Sequence, residues 1–194
     1  MAQERAGRII LVRHGETEAN RRRVFAESDE IPLSDTGRLQ AEELARKLAT
    51  NFRPSALLSS KFLRARQTAE ILGGVLGLQA EILEGIHARS FGCLRGHPYE
   101  RLGEMMLQDA AYDPGAGWMW SPEGGESLDD VRRRAVAVLD DLRARRAGEE
   151  IVVVCHGAVI QAISAHLSGE WSEASVPPNC SVLVLEEPAQ NFDF

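Results

Sequence analysis

The segment Leu11-Val12-Arg13-His14-Gly15-Glu16-Thr17-Glu18 carries most of the information in this chain. An apolar, β-branched run at 9–12 ends abruptly at a cation, an imidazole and a glycine. We interpret the run as a buried strand that delivers Arg13 and His14 to the carboxyl end of a sheet, where open α/β folds bind their ligands. The guanidinium of Arg13 suits phosphate, and a neutral imidazole at His14 is able to attack phosphorus. Taken alone, these residues also fit an ordinary polar strand end.

Two further segments repeat this arrangement of an apolar run followed by polar or cationic residues. Residues 55–60 (SALLSS) lead into a helical pattern that contains Arg64, and residues 150–155 (EIVVVC) lead into His156 and Gly157. Because the carboxyl ends of parallel strands lie at one edge of a sheet, we expect Arg13, His14, Arg64 and His156 to share one anion site. The N–H of Gly157 and the positive end of the following helix favour an anion there.

Strand-like and helix-like apolar patterns alternate along the chain. Strands are expected at 9–12, 55–60, 79–83, 151–155 and 182–185, and helices from Ser34 to about 52, from 61 to 76, from Ser127 to about 146, and from 158 to 167. This order predicts an α/β fold, a three-layer α/β/α sandwich with a mostly parallel central sheet. The length suits one domain over 1–194, with an irregular cap or lid at roughly 84–126.

Composition narrows the function classes. The net charge of −7 argues against non-specific binding to nucleic acid or to an anionic membrane surface. No apolar run approaches the roughly 20 residues that a membrane span requires, and the first residues lack the pattern of a secretory signal. The three cysteines are scattered, as expected of reduced thiols in a cytoplasmic protein, and we interpret Cys155 as a core residue. The sequence leaves the oligomeric state open.

The chain closely resembles the histidine phosphatase superfamily, in its phosphoglycerate-mutase-like branch. Six segments match the pattern of this family in the same order along the chain: LVRHGETEAN (11–20), IPLSDTGRLQA (31–41), LLSSKFLRARQTAE (57–70), GGES (124–127), VVVCHG (152–157) and PPNCS (177–181). The resemblance implies a phosphatase that acts through a phosphohistidine. It also implies that a backbone carbonyl, here that of Gly15, orients the ring of His14, and that Asn20 donates an amide hydrogen bond to the phosphate.

Physical chemistry supports these roles. Phosphoryl transfer is catalysed mainly by positioning and fixed positive charge, so Arg13 and Arg64 supply what the reaction needs, and no metal or other cofactor is expected. The two arginines and a protonated His156 are expected to lower the pKa of His14 and keep it neutral as the nucleophile. Phe25 and Phe91 are expected to border the substrate.

One position departs from the family pattern. The family places a glutamate, the general acid, four residues before a glycine, and here the matching residue before Gly92 is Ala88. General acid catalysis contributes about 10²–10⁴-fold, so its absence has consequences. Glu84 or Glu126 could replace the acid, although Glu126 could instead bond backbone amides before the capping Ser127. Alternatively the leaving group needs little protonation, or the protein binds phosphorylated ligands with weak turnover.

The sequence therefore predicts a phosphatase that hydrolyses a phosphomonoester or a related phosphorylated small molecule. A phosphoryl transferase of the phosphoglycerate mutase type is one alternative, although true mutases are longer. A phosphate-ligand-binding protein is the other. The selective residues lie in irregular loops, so the sequence does not identify the substrate.

Overall fold

A computed structural model describes residues 7–186 of the chain. Five strands form one sheet: β1 (Arg8–Arg13), β2 (Ala56–Ser59), β3 (Ala80–Ile82), β4 (Glu150–Cys155) and β5 (Val182–Glu186). Their order is β3-β2-β4-β1-β5, and every neighbouring pair is parallel except β1 with β5. The predicted mostly parallel sheet is confirmed.

Helices connect the strands. They are α1 (Glu18–Arg21), α2 (Asp35–Asn51), α3 (Leu63–Leu76), α4 (Glu100–Gln108), α5 (Leu128–Arg145) and α6 (Gly157–Ser168), with 3₁₀ turns at Gly92–Leu94 and Pro114–Met119. The four long helices lie within two residues of their predicted positions, whereas α1 and α4 were not expected. Ser34 and Ser127 are N-caps, as predicted. None of the helices in residues 7–186 is long and apolar enough to cross a membrane.

The core consists of two apolar layers, one on each face of the sheet. Ile9 and Leu11 of β1 pack with α5 and α6, whereas Ile10 and Val12 pack with α2 and α3. This alternation follows from the two-residue repeat of a strand and confirms the three-layer sandwich. Cys155 is fully buried in the first layer, as predicted.

The strand register sets the position of the polar residues that follow. Arg13 pairs with Cys155, and Ser59 pairs with Val154, so β1, β4 and β2 end together at one edge. The backbone continues the ladder for one more residue, since the N–H of His14 donates to Cys155 O at 3.1 Å and that of Ser60 donates to Val154 O at 3.0 Å. His14, His156 and Ser60 therefore emerge side by side.

A close contact between two glycines fixes the loop after β1. A Cβ atom at Gly15 would lie 2.4 Å from Gly37 O, and one at Gly37 would lie 2.0 Å from Glu16 O. Helix α2 also holds this loop through Gln40, whose Oε1 accepts a hydrogen bond from Glu16 N at 2.9 Å. The first turn of α2 is thus a buttress for the segment that carries His14.

Candidate active site

His14 is buried at the end of β1, with only 4% of its surface exposed. Its Nδ1 lies 2.7 Å from Gly15 O, the contact implied by the resemblance and now confirmed. Because a carbonyl oxygen only accepts, Nδ1 carries the proton, and in the neutral ring Nε2 keeps its lone pair. Burial first, and then the charge of Arg64, lowers the pKa of His14 well below its usual range of about 6.5, which outweighs the opposing Gly15 hydrogen bond.

His156 faces His14 across the strand ends, with ring centroids 5.2 Å apart and the planes at 62°. Ser60 Oγ lies 2.9 Å from its Nε2, and α6 begins at the next residue. Burial, Arg64 and His14 lower the pKa of His156 well below its usual range. Burial beside the guanidinium of Arg64 therefore disfavours the expected protonated form of His156. His14 is kept neutral by burial and the arginines instead.

Arg13 and Arg64 line the same cleft as the histidines. The guanidinium of Arg64, in the first turn of α3, is buried, and its Nη1 has no hydrogen-bond partner within residues 7–186. It lies 5.0 Å over the ring of Phe62. Burial lowers the pKa of Arg64 to about 10, so it is still a cation at neutral pH. The Arg13 side chain donates to Pro177 O, and burial lowers its pKa as well.

Gly157 allows Arg13 to approach the backbone of α6. A Cβ atom at position 157 would lie 2.6 Å from Val176 Cγ1 and 3.3 Å from Arg13 Nε. Gly157 and Ala158 both line the cleft at the N-terminus of the helix, where N–H groups have no partner inside the helix. The predicted anion-binding helix end and the two arginines therefore border one space.

Asn20 also reaches the cleft, at the end of the short helix α1. Its Nδ2 donates to the hydroxyl of Tyr99 at 3.2 Å, and its Oδ1 accepts from Asn179 Nδ2 at 3.3 Å. Asn179 donates to His14 O as well, at 2.9 Å, so it connects Asn20 to the backbone of the histidine. Asn179 lies in the matching segment PPNCS (177–181), and this match is the signal by which it could have been found.

The cleft is a cavity of about 450 Å³ whose outer wall is aromatic. Phe25 and Phe91 line it as expected, with ring centroids 4.1 Å apart, and Tyr99 packs on Phe25 at 4.9 Å. Ala88 lies on this wall too. The position that matches the family's general acid thus faces the cleft but carries only a methyl group.

The two candidate replacement acids lie elsewhere. Glu84 is exposed, and its carboxylate is 3.3 Å from Lys61 Nζ. Glu126 accepts from Arg134 Nε at 2.8 Å and from Ser90 N at 2.9 Å. Burial raises the pKa of Glu126, but hydrogen bonds from Arg134 and Ser90 outweigh burial and lower it. Neither glutamate lines the cleft. The carboxylate of Glu126 bonds a backbone amide, which is the structural role that the sequence offered as the alternative to a general acid.

Sequence reasoning missed four residues that shape the site. They are Ser60, which bonds His156; Thr68, which accepts from Gly15 N at 3.1 Å; Asn179; and Arg89, whose side chain is buried on the cleft wall. Ser60 and Thr68 belong to the matching segment at 57–70, but their hydroxyl groups carry no charge pattern that distinguishes them in a sequence. Within residues 7–186, no group of three or more His, Cys, Asp or Glu residues could hold a metal ion.

Comparison with known proteins agrees with this geometry. The family model of the histidine phosphatase superfamily (branch 1) matches residues 9–194. Phosphoglycerate mutase-like protein 4 of Arabidopsis thaliana is 33% identical over 80% of this chain and 68% of its own length. The metal-independent phosphoserine phosphatase of the same plant is 31% identical over 91% of this chain and 75% of its own.

A solved structure shares the fold. The mycobacterial glucosyl-3-phosphoglycerate phosphatase, in complex with VO3, superimposes with a TM-score of 0.78 at 28% identity, covering 92% of this chain and 90% of that one. The α/β sandwich and its sheet-edge cleft thus have the architecture of a known class of phosphatases. The chain belongs to the histidine phosphatase superfamily, branch 1. It is a phosphatase of that family.

Proposed function

We propose that the chain hydrolyses a phosphorylated small molecule by transferring its phosphoryl group first to His14 and then to water. The observation that carries this proposal is the Nδ1 contact of His14 with Gly15 O at 2.7 Å in a buried, neutral ring. A ring held in this way presents an unprotonated Nε2 to the cleft. The phosphatase names of the relatives favour hydrolysis over transfer to a second substrate.

In the first step, Nε2 attacks phosphorus and the bond from phosphorus to the leaving oxygen breaks, with its electron pair going to that oxygen. Arg13, Arg64 and the N-terminus of α6 neutralise the charge that develops on the equatorial oxygens. The incoming phosphate raises the pKa of His156 by attraction, so His156 becomes a charged donor on substrate binding. In the second step, water attacks the phosphohistidine, the phosphorus–nitrogen bond breaks, and His14 returns to its neutral form.

The test is a quenched labelling experiment with a ³²P-labelled aryl phosphate. Wild-type protein is expected to hold label that is stable in alkali and lost in acid, as a phosphohistidine is, and His14→Ala is expected to hold none. His166→Ala, on the exposed part of α6, is the matched histidine control and keeps the label. Label retained in His14→Ala would overturn the assignment, and release of phosphate without any phosphoenzyme would overturn the two-step route.

We further propose a single domain with a cap at 84–126, acting in the cytoplasm on a small molecule and not on nucleic acid. The cap is supported by the way Ala88, Phe91, Tyr99 and Leu102 all line the cleft from outside the sheet. The free thiols of Cys93, Cys155 and Cys180 suit a reducing compartment. Sedimentation of the full chain would establish its oligomeric state.

A further inference from the structure

A second compartment adjoins the catalytic cleft. It encloses about 260 Å³ and is lined outside the shared wall by Ser28, Asp29, Lys61, Phe62, His87 and Arg95; we call it the annex. Arg64, Ala88 and Arg89 lie on the wall that both cavities share. A molecule whose phosphoryl group sits beside His14 would therefore extend past Ala88 to enter the annex.

The annex is strongly cationic although the protein as a whole is acidic. Among the described residues, Lys61, Arg64, Arg89 and Arg95 line it, and Asp29 supplies the one carboxylate of the lining. The ion pairs of Lys61 with Glu84 at 3.3 Å and of Arg95 with Asp29 at 3.8 Å are exposed, so they are screened by water and hold their cations weakly. Lys61 and Arg95 are free to turn towards a ligand.

The shared wall carries buried positive charge. Arg89 is buried like Arg64, and it donates to two neutral carbonyls, Glu126 O at 2.7 Å and Trp120 O at 3.2 Å. Burial lowers the pKa of Arg89 to about 10, so it is cationic at neutral pH. Glu126 and Asp130 offset part of this charge at a distance, and an anionic ligand that hydrogen-bonds to the guanidinium would stabilise the buried cation further. The wall therefore favours a second anionic group just beyond the phosphoryl group.

Ala88 determines which kind of leaving group suits this wall. A carboxylic side chain there would donate a proton to the leaving oxygen, and in its ionised form it would repel an anionic leaving group. A methyl group does neither. The site thus suits a leaving group that departs without a proton and is itself an anion. A phosphate monoester as the leaving group meets both conditions, because its second pKa of about 6 leaves it mostly ionised at neutral pH.

We propose that the substrate class is a phosphoanhydride, whose terminal phosphoryl group is transferred to His14 while the leaving phosphate occupies the annex. This inference rests on the proposed function. Nε2 of His14 bonds to the terminal phosphorus, the bridging phosphorus–oxygen bond breaks, and its electron pair stays on the leaving phosphate. Water then cleaves the phosphohistidine to inorganic phosphate, so the sum is hydrolysis of the anhydride to two phosphates, with one proton released or kept according to pH.

The test compares three substrates in single-turnover phosphorylation of the full chain. Methyl diphosphate offers an anionic, good leaving group. 4-Nitrophenyl phosphate offers a good leaving group with no second phosphate. Propane-1,3-diol bisphosphate offers a second phosphate but a poor alkoxide leaving group. We expect the second-order rate constant for phosphorylation of His14 to be about 10- to 100-fold higher for methyl diphosphate than for either of the others, because of charged hydrogen bonds in the annex.

Substitutions in the annex separate binding from leaving-group chemistry. Lys61→Ala combined with Arg95→Ala is expected to remove most of the advantage of methyl diphosphate and leave 4-nitrophenyl phosphate unchanged. Lys47→Ala combined with Arg101→Ala is the matched control, since both residues form surface ion pairs outside both cavities. Thermal unfolding of both variants shows that they fold. An equal loss on both substrates would overturn the annex as a site for the second phosphate.

Substitutions at position 88 give an independent test, in which the rates on two of the substrates are expected to change in opposite directions. Ala88→Glu is expected to slow methyl diphosphate and to speed the bisphosphate, whereas Ala88→Gln, of the same size but neutral, slows both by crowding. Equal rates on methyl diphosphate and the bisphosphate would overturn the anhydride. A phosphohistidine from 4-nitrophenyl phosphate with no preference for methyl diphosphate would overturn the proposal and leave the proposed function intact. No phosphohistidine from any substrate would overturn both.

Discussion

At the scale of single residues, the site depends on two imidazoles held neutral inside the protein. His14 and His156 are 4% and 2% exposed, and each has a pKa lowered by burial in the first place. A nucleophile must be unprotonated to attack phosphorus, so burial serves catalysis directly. The same burial affects stability, because the two imidazoles bind protons in the unfolded chain at pH values at which they stay neutral in the folded protein.

We therefore predict an acid-dependent loss of stability with a definite pH window. The folded pKa values lie below the unfolded value of about 6.5, so the free energy of unfolding is unaffected well above that pH and falls as the pH drops below it. Between pH 7.5 and 5.5 the loss is expected to be about 1 kcal/mol for each histidine. Urea unfolding at both pH values measures it.

Substitution of His156 isolates its contribution to this loss. His156→Gln is expected to lose about 1 kcal/mol less than the wild type over this range. The range stays above the usual pKa of carboxylates, so their titration contributes little. An identical loss in His156→Gln and in the wild type would show that His156 is not held neutral by the fold.

The guanidinium of Arg64 is predicted to lower the stability of the fold while it contributes to catalysis. Its guanidinium is buried with an unpartnered Nη1, so Arg64→Met, which keeps the apolar stem, is expected to raise the free energy of unfolding by about 1 kcal/mol. The same change is expected to lower kcat/KM by about 10²–10³-fold, as for loss of a preorganised donor. Arg64→Lys restores only part of the activity, because an ammonium lacks the planar fork.

The neighbouring Arg66 supplies the control for this prediction. Arg66 lies on the same helix, and its side chain is 41% exposed in an ion pair with Glu30. Arg66→Met is expected to change the free energy of unfolding by less than about 0.5 kcal/mol and to leave kcat/KM unchanged. Arg64→Met with wild-type kcat/KM would remove Arg64 from the site.

At the scale of elements, the sequence predicted the parts of the fold that have strong periodicity. Strands β1 and β4 are buried on both faces, and long helices such as α5 have a clear apolar stripe, so pattern and structure agree. Helix α4 was missed because it is only nine residues long and lies in an irregular stretch rich in Gly and Pro, although Leu102, Met105 and Met106 have helical spacing. Arg13, His14 and His156 were predictable because they directly follow such strands. Arg89 was not predictable, because its position on the cleft wall depends on the path of the irregular segment between β3 and α4.

The packing of α2 against the loop after β1 leads to a prediction with its own control. A Cβ atom at Gly37 would lie 2.0 Å from Glu16 O, so Gly37→Ala is expected to destabilise by about 1–3 kcal/mol and to lower kcat/KM by displacing His14. Gly74 lies inside α3, and a Cβ atom there would meet nothing within 4 Å, so Gly74→Ala is expected to stabilise by about 0.5–1 kcal/mol. Urea unfolding measures the free energy of unfolding of both variants. Equal changes would show that the first turn of α2 does not support the segment that carries His14.

At the scale of the whole molecule, the two sides of the cleft differ in how they are built. Arg13, His14 and His156 project from a sheet whose central strands are almost fully buried, whereas the opposite wall comes from the segment around α4. Buried strands open only with global unfolding, but an element without buried residues opens locally at low cost. The protein thus combines a rigid phosphoryl site with an adaptable wall towards the rest of the substrate.

Hydrogen–deuterium exchange is predicted to show this division. Amides of β4 are expected to exchange last and those of α4 among the first. Vanadate, an analogue of the transferring phosphoryl group, is expected to slow exchange in α4, because Tyr99 and Leu102 face the cavity that it occupies. Strand β3 is the control: its three residues are exposed and line neither the cleft nor the annex, so vanadate leaves their exchange unchanged. Uniform slowing across α4 and β3 would mean that vanadate acts on global stability alone, and exchange of α4 as slow as that of β4 would contradict the adaptable wall.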